Sequence, residues 1–196
     1  MDRARDQLNA FIETYQTLTE KEKFGLAKIF QDRTGGKLSP FNSPSPVCVA
    51  LIPVTGPDGE IGFLGARRAI PPFVGEVALA GGFLSTSEDP IAGAVREVLE
   101  ETGIQLDPSL FSSECIPKMG HNNNLLMFFK STEVLNYKAL EKANQNLKDT
   151  DGEASEIVFI SPKTSLCFPL HQEAVNTAFR EMNIAPQVDV AKSLKM

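Results

Sequence analysis

The sequence predicts a layered α/β or α+β fold. Three short apolar runs, residues 47–54, 61–66 and 77–80, have the length and composition of buried strands, and a helical pattern follows them. Further strand and helix patterns alternate after that helix, as expected when helices pack on a sheet. The 196 residues, of which 42% are hydrophobic, are enough for one domain with a sizeable core.

The predicted elements divide the chain into three parts. Residues 1–36 form an N-terminal helical extension, in which Thr19 to Glu22 reads as a capping box. Residues 47–183 form the main domain, and residues 184–196 form a C-terminal tail. Within the main domain we expect further strands at 110–116, 125–130 and 157–161, and helices at 90–102, 137–147 and 170–182.

Charge and cysteine content exclude several classes of protein. The net charge of −6 disfavours a nucleic-acid-binding role, because no basic stripe is present to neutralise a phosphate backbone. Cys48, Cys115 and Cys167 have long spacings, which argues against disulfides or a zinc site and favours small buried residues. Neither a long apolar run nor a signal peptide is evident. We therefore expect a cytoplasmic protein with no nucleic-acid or membrane partner.

The helix at 90–102 has clear ends and two contrasting faces. Asp89 suits the N-cap, Pro90 suits the first helical position, and Gly103 suits a left-handed C-terminal stop. On a helical wheel five apolar residues share the arc expected to face the core: Ile91, Ala92, Val95, Val98 and Leu99. Glu97, Glu100 and Glu101 share the opposite arc.

The three glutamates repel one another unless a counter-charge lies among them. Like charges at these offsets cost a few tenths of a kcal/mol per pair on a helix. A divalent cation with oxygen ligands would offset this repulsion, and Mg²⁺ usually binds carboxylates together with substrate phosphates. A solvated charged face is the alternative reading of a glutamate run.

The residues around this helix carry a longer motif. Residues 82–104 read GFLSTSEDPIAGAVREVLEETGI, with Gly82, Glu88, Arg96 and Gly103 at fixed offsets from the acids. This stretch resembles the Nudix box of the Nudix hydrolases at every defined position. The resemblance implies the Nudix fold, in which a mixed β-sheet is sandwiched between helices. It also implies an enzyme that uses Mg²⁺ (or Mn²⁺) to hydrolyse a nucleoside diphosphate linked to another moiety.

The resemblance also implies roles for the box residues. Glu97, Glu100, Glu101 and the Gly82 carbonyl would hold the metal, and Glu97 is a candidate general base. Arg96 and Glu88 would pair with each other and fix the loop against the helix. Because many Nudix enzymes take a further acid from a loop before a late strand, Glu153 is our first candidate for that role; an exposed acidic loop is the alternative.

Residues outside the box suggest a substrate branch. Arg67 and Arg68 begin an RRAI-P stretch that, with the following AGGF, looks like the branch acting on NADH, FAD or ADP-ribose. Either arginine is a candidate to bind a phosphate, and Phe83 is a candidate to stack on a base. For His171 we expect a structural role or an exposed position.

Three functions follow from these observations. The leading hypothesis is a pyrophosphohydrolase whose partner is a small-molecule nucleoside diphosphate derivative. The alternatives are a house-cleaning (d)NTP pyrophosphohydrolase and a nucleotide-sensing Nudix domain without catalysis. The N-terminal extension could pack on the main domain, form a homodimer interface or cover the substrate site, and the sequence does not choose among these roles.

Overall fold

The computed structural model describes residues 17–19, 22, 44–120 and 123–188. The chain forms two compact units, residues 1–44 and 45–196. In the first unit the predicted capping box is confirmed: the Thr19 N–H donates to Glu22 Oε2 at 2.8 Å, and the Glu22 N–H donates to Thr19 Oγ1 at 3.4 Å. The rest of the predicted extension, His121 and the end of the predicted tail lie outside the described residues.

The second unit contains the elements predicted for the main domain, with shifted bounds. Its helices are α1 (Pro90–Thr102), α2 (Tyr137–Gln145) and α3 (Pro169–Glu181), and 3₁₀ turns occupy Pro108–Leu110 and Leu147–Asp149. Its strands are β1 (Ser45–Leu51), β2 (Pro53–Thr55), β3 (Ile61–Arg68), β4 (Val77–Ala78), β5 (Gly81–Phe83), β6 (Phe111–Met119), β7 (Asn124–Ser131), β8 (Leu135–Asn136) and β9 (Ala154–Ile160). Among the described residues, no helix is long and apolar enough to cross a membrane.

The strands form two mixed sheets. One has the order β5-β1-β7-β6, in which β1 and β7 run parallel. The other has the order β4-β3-β2-β8, with β9 paired to β3 and with β2 and β8 parallel. The α+β class with mixed sheets and flanking helices is therefore confirmed.

Strand β1 is buried on both of its faces. Cys48 and Ala50 belong to a core cluster that also contains Ala94 and Val98 of α1. Val49 and Leu51, which point to the other side because side chains alternate along a strand, belong to a second cluster. That cluster contains residues of α3 that were predicted to face inward: Ala174, Ala178 and Phe179. Helices α1 and α3 thus cover opposite faces of the strand.

Two burial predictions were wrong. Leu99 was expected in the core but is 44% exposed, because the face of α1 that packs inward is the one that carries Ala94, Val98 and Thr102. Cys115 is exposed on β6, whereas Cys48 is buried as expected.

Strand β9 is bonded on its outer side by a side chain of α2. The Asn144 amide donates to the Ile157 carbonyl at 2.8 Å and accepts from the Ile157 N–H at 2.7 Å. A single side chain thus satisfies both main-chain groups of Ile157, on the edge that β3 does not occupy.

Candidate active site

Helix α1 begins and ends where its sequence predicts. Asp89 Oδ1 accepts hydrogen bonds from the Ile91 and Ala92 N–H groups at 3.0 and 3.1 Å, and Pro90 is the first helical residue. Gly103 has a φ of 68° and its N–H donates to the Leu99 carbonyl at 2.9 Å. These caps define the two ends of α1, which packs against β5, the strand that carries Gly82.

The carboxylate of Glu97 lies against the backbone of Gly82. A Cβ at position 82 would be 2.5 Å from the carboxyl carbon and from each carboxyl oxygen of Glu97. Only glycine leaves this space. Because Gly82 has no side chain, its backbone and the Glu97 carboxylate lie in direct contact.

Arg96 connects the acids of the box. Its Nε and Nη2 donate to the two carboxylate oxygens of Glu88 at 2.8 and 3.1 Å, which confirms the predicted pair. Its Nη1 donates to Glu97 Oε1 at 2.7 Å and to Glu100 Oε2 at 2.8 Å. Its Nη2 also donates to the Phe83 carbonyl at 3.1 Å. One guanidinium thus ties α1 to β5 and to the loop that precedes the helix.

The contacts of Arg96 and the burial of the site shift the pKa values of Glu88, Arg96 and Glu97. The hydrogen bonds from Arg96 and from the Ser85 N–H lower the pKa of Glu88 to about 2. Ion pairing, first with Glu88, raises the pKa of Arg96. Burial raises the pKa of Glu97 despite its bond to Arg96.

Glu101 faces inward rather than toward solvent. Its Oε1 accepts a hydrogen bond from the Gly81 N–H at 3.2 Å. Burial raises its pKa to about 8, against the opposing effect of this bond. The Gly81 N–H is a site contact that sequence reasoning missed, and the adjacent Gly-Gly pair, which allows close approach of backbone, was the available signal.

The loop before β9 lies beside the acids of α1. The Asp151 N–H donates to the Glu100 carbonyl at 3.1 Å, and the Glu153 N–H donates to Asp151 Oδ1 at 2.9 Å. The negative charge of Glu153 contributes to the raised pKa of both Glu97 and Glu101. The loop therefore brings Glu153, the acid chosen from the sequence, toward the glutamates of the box.

A cavity of about 420 Å³ adjoins this loop and the end of α1. It gives a small molecule space beside Glu100. Its lining comes from both elements and the turn after α2: Leu99, Glu100, Gly103, Asn146, Thr150 and Asp151.

The two arginines upstream of the box bond to the protein itself. Arg67 Nε pairs with Glu156 Oε2 at 2.7 Å, and Arg67 Nη1 donates to the Gly75 carbonyl at 2.9 Å. Arg68 Nε donates to the Pro72 carbonyl at 2.6 Å, and its guanidinium lies over the Phe168 ring. That either arginine binds a phosphate stays a prediction.

The aromatic residues and the histidine considered as site candidates differ in how far they are buried. Phe83 is 61% exposed and is free to meet a ligand, while Phe128 and Phe129 belong to the core. His171 has the expected structural role: it is buried, and its Nδ1 accepts a hydrogen bond from the Leu79 N–H at 3.2 Å. Burial lowers the pKa of His171 to about 3.

Oxygen donors at this site have the chemistry that a hard divalent cation prefers. Glu97, Glu100 and Glu101 supply carboxylates, and the Gly82 backbone lies against one of them. Within the part of the chain that the structure describes, no group of three or more His, Cys, Asp or Glu is already arranged around one point as metal ligands. Arg96 Nη1 lies between the carboxylates of Glu97 and Glu100, and Glu101 turns toward Gly81.

A family model described as the NUDIX domain matches residues 44–178 of this chain. That range covers both sheets and the box helix, and it is more than half of the chain. No protein of curated function matches the chain.

Several solved structures resemble the chain at low sequence identity. A MutT/nudix family protein from Enterococcus faecalis has a TM-score of 0.56 and 18% identity, and the match covers 91% of this chain and 80% of that one. The NUDIX domain of Shewanella oneidensis NrtR, solved with ADP ribose, has a TM-score of 0.56 and 15% identity, covering 84% and 99%. A NUDIX hydrolase from Nitrosomonas europaea has a TM-score of 0.52 and 18% identity, covering 74% and 76%. At these identities the likeness shows the fold.

Proposed function

Because this chain belongs to the NUDIX domain family and is a Nudix hydrolase, we propose that it cleaves the diphosphate of a nucleoside diphosphate linked to another moiety. Substrates of the ADP-ribose, NADH or FAD type fit the proposal best. Water is added across one P–O–P bridge, so that each product keeps one phosphate. The proposal includes dependence on Mg²⁺ or Mn²⁺.

The contact between Glu97 and Gly82 is the observation that carries this proposal. It holds a partly buried carboxylate against a backbone where no side chain intrudes. Glu97, Glu100, Glu101 and the Gly82 carbonyl would hold the cation. When bound, the cation would screen the phosphate charge and lower the pKa of a bound water.

The remaining site residues would position these acids. Glu97 is the candidate to accept a proton from the attacking water, since its carboxylate lies against the Gly82 backbone among the proposed ligands, and its counterpart has this role in some Nudix enzymes. Arg96 and Glu88 would fix the loop and the helix relative to each other. Glu153 would supply a further carboxylate from the loop before β9.

The choice of substrate rests on two kinds of support. The RRAI-P stretch and the AGGF turn resemble the branch that acts on NADH, FAD or ADP-ribose. The NUDIX domain of NrtR, which shares the fold, was solved with ADP ribose. Cleavage of a (d)NTP is the alternative within the same chemistry.

The NrtR likeness also favours a second candidate, a domain that binds a nucleotide without turning it over. NrtR has also been solved with a 27mer DNA, a structure with a TM-score of 0.50 and 14% identity that covers 69% of this chain and 61% of that one. All box carboxylates are retained here, which supports the enzyme over the sensor.

The three cysteines are free thiols, which supports a reducing cytoplasmic location.

A substrate panel with Mg²⁺ or Mn²⁺ tests the proposal. The unmodified chain should convert ADP-ribose to AMP and ribose 5-phosphate, or NADH to its two mononucleotides. Glu97→Gln should lower kcat about a hundredfold or more while the circular dichroism spectrum is unchanged. Glu114→Gln, at an exposed position of β6, is the matched control and should retain full activity.

Different products would contradict parts of the proposal. Release of pyrophosphate from dNTPs, with no cleavage of the dinucleotides, would establish the alternative enzyme. Saturable binding of ADP-ribose without turnover would establish the sensor.

A further inference from the structure

The loop between β3 and β4 holds an aromatic residue in a strained conformation. Phe73 has a φ of 63°, in the left-handed region that costs energy for any residue other than glycine. Phe73 is nevertheless 45% exposed, and its neighbour Val74 is 60% exposed. Strain of this kind persists only where the surroundings impose it, and it concentrates at functional sites.

Two arginines impose this conformation. Arg68 donates through Nε to the Pro72 carbonyl at 2.6 Å, and through Nη2 to the Pro71 and Ile70 carbonyls at 3.3 and 3.4 Å. Arg67 Nη1 donates to the Gly75 carbonyl on the far side of Phe73 at 2.9 Å. The loop is thus held from both sides by side chains that belong to β3.

The Phe73 ring is fixed as well as its backbone. It meets the Phe168 ring edge to face, with centroids 5.4 Å apart and planes at 82°. The Arg68 guanidinium in turn lies over the Phe168 ring, with its central carbon, Cζ, 5.3 Å from the ring centroid. A side chain that served only the core would be buried, yet this ring is held in place and left nearly half exposed.

The loop stands beside the candidate active site. At its start the Ala69 N–H donates to the Glu153 carbonyl at 2.7 Å, and Glu153 is the acid whose charge reaches Glu97 and Glu101. At its end the chain runs through β4 into Gly81 and Gly82, which contact Glu101 and Glu97. The first residue of the loop is therefore bonded to the segment that carries Glu153, and the chain after the loop continues through β4 to the two glycines that contact the acids.

We propose that Phe73 forms a prepositioned platform on which a planar heteroaromatic ring of the substrate stacks. This inference rests on the proposed function and identifies the substrate class more closely: the ring is the nucleobase of the nucleoside diphosphate. Its diphosphate would then extend from the loop toward Glu153 and α1. Stacking on an aromatic side chain tolerates different bases, because every base has a π-face.

Kinetics provide the first test. Phe73→Leu keeps an apolar side chain and the same backbone strain but loses the ring. It should raise KM for ADP-ribose about tenfold with little change in kcat. The reason is that stacking stabilises the bound substrate and the transition state equally. Phe73→Tyr, which keeps an aromatic ring, should have the KM of the unmodified protein. Val134→Ala, at an exposed apolar residue elsewhere, is the matched control and should leave the KM unchanged.

Fluorescence provides a second test that does not depend on turnover. The chain has no tryptophan, so Phe73→Trp and Val134→Trp each introduce a single fluorophore. AMP should quench the fluorescence of the Phe73→Trp protein saturably, and ribose 5-phosphate, which lacks a base, should not. AMP should leave the Val134→Trp protein unchanged.

The outcomes separate the inference from the proposed function. If the Phe73→Trp protein cleaves ADP-ribose but AMP does not quench it, the platform is wrong and the enzyme stands. The opposite result is that AMP quenches the Phe73→Trp protein, but neither the unmodified protein nor any variant cleaves a nucleoside diphosphate derivative. In that case the proposed function is wrong and the platform stands. An unchanged KM for Phe73→Leu would also overturn the platform.

Discussion

The carboxylate of Glu97 occupies the space that a side chain at Gly82 would need, with 2.5 Å between it and the position of a Cβ. This contact joins β5 to α1 at the point where the box begins. It makes the position of the Glu97 carboxylate depend on the smallest residue in the site.

Gly82→Ala should separate activity from stability. The added methyl group displaces the end of a flexible side chain, so we expect a small change in melting temperature. The displaced Glu97 carboxylate should lower kcat/KM about a hundredfold, as a misplacement near 1 Å can do. Gly120→Ala is the matched control, because its Cβ would lie 3.3 Å from a leucine side chain outside the site. Equal activity of the two variants would contradict the role of Gly82.

Arg96 should change partners when a divalent cation binds. Its Nη1 donates to Glu97 and Glu100, and a cation on these two carboxylates competes for the same oxygens. With ¹⁵N-labelled arginine, added Mg²⁺ should shift the Nη1 signal of Arg96 and leave its Nε signal, which is held by Glu88, nearly unchanged. Arg67, which pairs with Glu156, is the internal control. Nη signals that stay constant while calorimetry shows Mg²⁺ bound would rule out this exchange.

His171 should make the fold sensitive to mild acid. Burial lowers its pKa to about 3 in the folded chain, below the unfolded value of about 6.5, so the unfolded state binds a proton first as the pH falls. Its contribution is complete above pH 6.5 and declines toward pH 3. Between pH 7 and pH 5 this residue should remove about 2 kcal/mol from the free energy of unfolding.

His171→Asn provides the comparison, because the amide oxygen can still accept the Leu79 hydrogen bond but does not titrate. Urea unfolding of both proteins at the two pH values isolates the effect of the imidazole. The same loss of stability in both proteins would assign the pH dependence to other groups.

Asp89→Ala should destabilise α1 through its first turn. The variant loses two hydrogen bonds to the Ile91 and Ala92 N–H groups, which should cost about 1 kcal/mol of unfolding free energy. Asp58→Ala, in the exposed turn between β2 and β3, should have little effect. Thermal unfolding of both variants measures the difference, and equal melting temperatures would show that the cap contributes nothing.

The ends of α1 were predictable because capping is local. Asp89, Pro90 and Gly103 act within one turn of the helix, and the structure confirms all three. The rotation of the helix was not predictable in the same way. Periodicity shows which residues share an arc, but the Gly81 N–H that draws Glu101 inward comes from another strand. Leu99 is exposed because the buried face of α1 is centred on Ala94 and Val98, and the strands that those two residues pack against are distant in the sequence.

The loop at Phe73 shows the same limit. Pro71, Pro72 and Gly75 indicate a turn in the sequence. The strained φ of Phe73 depends on the bonds that Arg67 and Arg68 make to the loop. The position of its ring depends on Phe168, which lies at the start of α3. The spacing of Glu153 before Phe159 pointed to a loop that lies against α1, and the part of Glu153 in catalysis stays a prediction.

The amide of Asn144 has a consequence beyond the domain itself. By bonding both main-chain groups of Ile157, it stands where a neighbouring strand would add to β9. An uncovered edge of this kind is a template for aggregation between molecules. Helix α2 therefore covers this edge, and its asparagine takes up the two main-chain groups of Ile157 that a strand from another molecule would need.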